Sequence, residues 1–108
     1  MALAPNINGQ ILFGPNFEQV GTSPDTTIKF KLSDIGVTGD TSQLSGEGII
    51  LALLQHLEKV QGSDVNRVME IRSSPIFTSK GGEPAIGQNV TVRIFSTVPV
   101  ASITPNQV

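Results

Sequence analysis

Residues 46–60, GEGIILALLQHLEKV, hold the strongest apolar run in the chain, and their periodicity decides the fold class. Ser45 precedes the run as a helix N-cap, Glu47 meets the positive end of the helix dipole, and His56 and Lys59 lie towards the other end with Gly62 just beyond. At 100° per residue Ile49, Ile50, Leu53, Leu54, Leu57 and Val60 fall within an arc of roughly 140°, the width of a helix that packs one face on a core. Leu51 projects about 60° beyond that arc, beside Gln55 and Glu58, where a monomeric helix would carry a polar residue. The uninterrupted apolar stretch runs only from Ile49 to Leu54, whereas a membrane span needs about 20 residues. The run is therefore an amphipathic helix.

On the amino-terminal side, TTIKFKLS (26–33) alternates strictly, with Ile28, Phe30 and Leu32 on one face and Lys29 and Lys31 on the other, as a half-buried strand does. DIGVTGDTSQLSG (34–46) carries turn and cap residues and reads as a loop. On the carboxy-terminal side, 65–72 alternates less cleanly, with Val65, Met69 and Ile71 on one side and Val68 on the other, and continues as a strand to about Thr78. Pro75, Gly81, Gly82, Pro84 and Gly87 then predict a long loop. NVTVRIFSTV (89–98) predicts a strand with Val90, Val92, Ile94 and Val98 inward and Thr91, Arg93, Phe95 and Thr97 outward. On that assignment Val92→Asp unfolds the protein, whereas Arg93→Ala leaves folding nearly unchanged.

Residues 1–25 are crowded with Pro and Gly and read as an irregular arm in which only Gly9–Phe13 could form a short strand; residues 99–108 read as a tail. The arm holds Ile7, Ile11, Leu12, Phe13, Phe17 and Val20, too many apolar residues for a solvated linker, so it is expected to lie on its own core or on a neighbouring subunit. The expected fold is α+β, in two layers. One amphipathic helix packs on a small, mostly antiparallel sheet of three or four strands, within a single domain 1–108 whose core spans 26–98.

Composition narrows the function more than any motif does. Charged residues make up 15% of the 108, against roughly 25% in an ordinary soluble domain. A net charge of -2 argues against strong non-specific attraction to nucleic acid or anionic lipid, and it weakens repulsion between copies. There is no cysteine, hence no disulfide framework or thiolate site, and one histidine, His56, whose place at the edge of the apolar arc favours a structural role. The N-terminus lacks the basic and apolar segments of a secretory signal, so a cytoplasmic location is expected.

Candidate chemical motifs are thin. DIGVTGD (34–40) has two carboxylates but not the ligand spacing of a calcium loop, and SKGGEP (79–84) has a lysine before its glycines with no helix after them, which suits a hairpin turn and not a phosphate loop. GEG (46–48) lacks the preceding strand and third glycine of a dinucleotide fingerprint. No catalytic residue, cofactor or metal site is expected.

One constellation survives. The outward strand residues combine Lys29 and Lys31 with Val68, Glu70 and Arg72 and with Thr91, Arg93 and Phe95, so four of the seven Lys and Arg residues share a face with an aromatic ring. The expected function is that of a non-enzymatic structural or interaction protein, a homo-oligomer held through its arms and this open sheet face. The candidate surface is Lys29, Lys31, Val68, Arg72, Arg93 and Phe95, with Leu51. The alternative is a small module that binds single-stranded nucleic acid through the basic face.

Overall fold

The computed structural model describes residues 2–97 and 102–108. Among these residues it is a small α+β protein with two α-helices and two antiparallel two-stranded sheets. The chain divides into two compact units, one formed by residues 6–60 and the other by the first residues to Pro5 with 61–108. Each is described by itself.

The unit of residues 6–60 starts with α1 (Gly9–Phe13), where a short strand is expected. Two local features turn this segment into a helix. Asn8 caps it through a carboxamide oxygen that accepts from the Gln10 N–H at 2.8 Å, and Gly14, at φ 100, ends it. Apolar content cannot distinguish a five-residue helix from a five-residue strand; the cap does.

The arm also contains β1 (Glu18–Val20), which pairs with β2 (Thr27–Lys29) in the register Glu18↔Lys29, Gln19↔Ile28 and Val20↔Thr27. The expected strand at 26–33 is thus shortened to three residues. Its continuation folds into a 3-10 turn, Leu32–Ile35, closed by Gly36 in the left-handed region at φ 88. Ile28 is exposed, while Phe30 turns into an aromatic cluster: Phe13 stacks on Phe17 at 4.9 Å between ring centroids and meets Phe30 at 5.5 Å. The Phe17 ring lies so close to Gly9 that a Cβ there would fall 2.6 Å from it.

Helix α2 (Gly46–Val60) has the bounds expected of it. The Ser45 hydroxyl accepts from the Gly48 N–H at 3.0 Å, and Gly62 follows the helix at φ 82. Within its unit α2 contacts α1 and the Leu32–Ile35 turn. Leu57 and Ile35 are the buried hydrophobic residues of this unit among those described.

The other unit is dominated by a long hairpin, β3 (Met69–Lys80) and β4 (Glu83–Ile94), in unbroken register from Met69↔Ile94 to Lys80↔Glu83. The long loop expected after Thr78 is absent: Gly81 and Gly82, at φ 58 and 81, form a two-residue turn of the type that matches strand twist. Pro75 and Pro84 do not interrupt the ladder because of where they fall. A two-residue turn makes Lys80 and Glu83 a hydrogen-bonded pair, and alternation from there places Pro75 and Pro84 where the backbone nitrogen points away from the partner strand. The Phe95 N–H donating to the Val68 carbonyl at 2.9 Å extends the same alternation by one pair.

At the base of the hairpin the Asp64 carboxylate accepts from the Asn66 N–H at 2.8 Å in an Asx turn, and the Ala4 N–H donates to the Asn66 carbonyl at 2.8 Å. Of the expected tail, 102–108 includes a 3-10 turn, Pro105–Gln107, whose Gln107 carbonyl accepts from the Ser96 hydroxyl at 2.8 Å. The expectation for Val98 falls outside the described residues.

Two further expectations change. The four strands form two separate two-stranded sheets in place of one sheet of three or four, because alternation specifies a strand's faces but not its neighbour. The inward face of 89–98 is also only partly covered: Ile71 is 2% exposed, but its cross-strand neighbour Val92 is 43% exposed and Ile94 is likewise open. A charge at Val92 would therefore meet solvent in the isolated chain, and the core position of this hairpin is Ile71.

Candidate interaction surface

Strand alternation and the register of β3 and β4 sort the hairpin's side chains into two faces. On one face lie the pairs Val68/Phe95, Glu70/Arg93 and Arg72/Thr91, followed towards the turn by Ser74/Asn89, Ile76/Gly87, Thr78/Ala85 and Lys80/Glu83. Of the seven residues of the surface expected from sequence, four lie on this face and three lie apart from it. Val68, Arg72, Arg93 and Phe95 are brought together on this face, with Glu70, Arg72, Thr91 and Arg93 lining a shallow cleft. Leu51, in α2, belongs to the other unit and is 40% exposed.

Lys29 and Lys31 are in that other unit as well. Lys29 stands opposite Glu18 on β2, and Lys31 precedes the Leu32–Ile35 turn and lines an open depression with Leu32, Ser33, Val37, Thr38, Gly39 and Thr41. The acidic residues thin the positive charge further: Glu70 faces Arg93, and Glu83 faces Lys80. The basic face read from the sequence is thus divided between the two units, and on the hairpin Arg93 and Lys80 each stand opposite a carboxylate.

The second face is the one that alternation alone left half-read. Its pairs are Met69/Ile94, Ile71/Val92, Ser73/Val90, Pro75/Gln88, Phe77/Ile86 and Ser79/Pro84. Beginning at the buried Ile71, an apolar stripe runs along the strands to Phe77 and Ile86, which are directly opposite one another and are 76% and 77% exposed. Neither residue stood out in the sequence, because both were assigned to a strand end or a loop. The signal that could have found them is the Gly-Gly pair at 81–82: folding 69–80 back on 83–94 about it places Phe77 on Ile86.

The two outer edges of the hairpin differ. On the β3 edge Gln61 acts as a short substitute strand: its carboxamide oxygen accepts from the Ile71 N–H at 2.6 Å, and its carboxamide nitrogen donates to the Ile71 carbonyl at 2.9 Å. Pro75 removes a donor farther along the same edge. On the β4 edge Pro84 alone lacks an N–H, and from Ile86 to Ile94 no residue has an outward backbone partner within the unit among the described residues.

The remaining candidate groups serve local structure. Asp34 accepts from the Asn16 carboxamide at 2.7 Å. Asp40 accepts from both the hydroxyl and the N–H of Ser42, at 2.7 and 3.0 Å, and these two bonds hold its carboxyl pKa below the ordinary value against a small opposing effect of desolvation. His56 is half-buried on α2 with its Nε2 unpartnered. On the same helix Ile50, assigned to the core arc, is 59% exposed and so more open than Leu51.

Exposed apolar surface is the dominant physical feature. Among the described residues three hydrophobic side chains are buried, Ile35, Leu57 and Ile71, while thirteen large ones are exposed. No helix is long and apolar enough to cross a membrane among the described residues. Comparison with protein-family models, with curated proteins and with solved structures finds no match.

Proposed function

We propose that this chain is a non-enzymatic structural protein that self-associates into a homo-oligomer, with the β3–β4 hairpin and the terminal arms supplying the contacts. The observation that carries this reading is the exposed Phe77/Ile86 pair at the end of an apolar stripe on a two-stranded hairpin. A two-stranded hairpin is marginal by itself in water, and large exposed apolar patches mark association sites. Ile50 and Leu51 on α2 add a second exposed apolar group. The proposal includes the helix-on-sheet packing expected of α2, whose apolar arc needs a strand layer to cover Ile50.

Reading the protein as non-enzymatic rests on its sequence, in which a single His and no Cys leave few routes to a nucleophile–base pair. Binding of single-stranded nucleic acid is the second reading, supported by Arg72, Arg93 and Phe95 on one face of the hairpin. It ranks lower because Glu70 stands directly opposite Arg93 and the net charge is -2. Light scattering at tens of micromolar protein tests the first reading: a mass at a whole-number multiple of 11.4 kDa is expected, and a monomer contradicts it.

A further inference from the structure

We infer that the free edge of β4 pairs with β4 of a second copy, antiparallel about a two-fold axis at Val90, to give a four-stranded sheet ordered β3–β4–β4–β3. This deepens the self-association reading and rests on it. Three features of the hairpin lead to it.

The first is the difference between the edges. Sheet edges invite pairing with another chain, and proteins block the ones that must stay free. Here β3 is closed at Ile71 by Gln61 and interrupted at Pro75, whereas β4 keeps outward N–H and carbonyl groups at Ile86, Gln88, Val90, Val92 and Ile94. That is an open run of nine residues, about 30 Å long.

The second is register. A symmetric pairing centred on Val90 matches Ile86 with Ile94, Gln88 with Val92 and Val90 with itself, and every one of these positions points its backbone outward. Five such pairs give ten hydrogen bonds, two per pair. Moving the centre towards the turn brings in Pro84, which has no N–H, and moving it the other way shortens the paired run.

The third is side-chain chemistry. The outward-bonding residues all carry their side chains on the apolar face, so pairing covers Ile86 with Ile94 and joins the two apolar stripes. On the opposite face Arg93 meets Gly87 and Thr91 meets Asn89 of the second copy, so no like charges are set against each other. The interface is isologous, as in most homodimers.

The natural absence of cysteine gives a clean test. In a Val90→Cys variant the two engineered thiols lie on a hydrogen-bonded antiparallel pair, with Cα atoms about 5.5 Å apart and within disulfide reach. Under mild oxidation a covalent dimer is expected. A Gln88→Cys variant, whose two copies are offset by four residues along the strand, is expected to remain uncrosslinked. Gln88→Pro removes one outward donor per copy at a position of the kind Pro75 and Pro84 already occupy, so the hairpin survives and self-association weakens about tenfold or more. Equal crosslinking of both cysteine variants, or none for Val90→Cys in a protein that light scattering shows to be oligomeric, overturns the β4 pairing and leaves self-association standing. A monomer by light scattering overturns both.

Discussion

Gln61 holds Ile71 by both backbone groups, accepting from its N–H at 2.6 Å and donating to its carbonyl at 2.9 Å, so a single side chain finishes the β3 edge where the hairpin is most buried. Gln61→Ala strands two backbone groups at a site with little solvent and is expected to lower stability by about 1–3 kcal/mol. Urea denaturation followed by far-UV circular dichroism measures it. Gln61→Glu keeps the acceptor and loses the donor, and should fall between the wild type and the alanine variant near neutral pH.

Ile71 and Val92 are cross-strand neighbours on one face, but only Ile71 is fully covered. Ile71→Ala is expected to cost about 2–4 kcal/mol through the cavity it leaves. In dilute protein Val92→Ala should cost less than half of that. Equal shifts in the urea midpoint would place Val92 in the core and contradict the exposure assigned to it.

Gly14 ends α1 at φ 100, and a Cβ there would overlap the Asp34 side chain. Gly14→Ala combines backbone strain with that clash, and a loss of about 2 kcal/mol or more is expected. Gly39, also at positive φ, has open space around it and serves as the control, with a loss of about 1 kcal/mol for Gly39→Ala. Thermal midpoints that move equally for the two would show that Asp34 does not pack against Gly14.

A labelled single-stranded oligonucleotide at low salt tests the basic-face reading by fluorescence anisotropy. With Glu70 opposite Arg93 and Lys29 opposite Glu18, no binding is expected at micromolar protein. Binding that Arg72→Ala or Arg93→Ala abolishes would revive that reading.

The helix was legible in the sequence because its signals are local. Ser45 caps it, Gly62 follows its end, and its arc turns at 3.6 residues. The face carrying Val68, Arg72, Arg93 and Phe95 was legible because alternation sorts side chains whatever strand lies alongside. The length of β4 was not. Pro84 and Gly87 resemble breakers until the Gly81–Gly82 turn sets the register, and only then does Pro84 fall where its missing N–H costs no ladder bond.

The division into two sheets was also hidden, since TTIKFKLS looks like a full strand until Gly36 draws Leu32–Ile35 into a turn. The exposure of Ile50, Phe77 and Ile86 could not be read at all, because periodicity says which residues want cover and not whether the chain has enough of itself to provide it.

That shortage is the basis of the assembly proposal, and mass in solution tests it most directly. Light scattering over a hundredfold dilution, with the wild type beside a Phe77→Ser, Ile86→Thr double variant, compares the apolar pair intact and removed. The account predicts a multiple of 11.4 kDa for the wild type at tens of micromolar and a shift towards the monomer in the variant at the same concentration. A wild type that remains at 11.4 kDa throughout would contradict it.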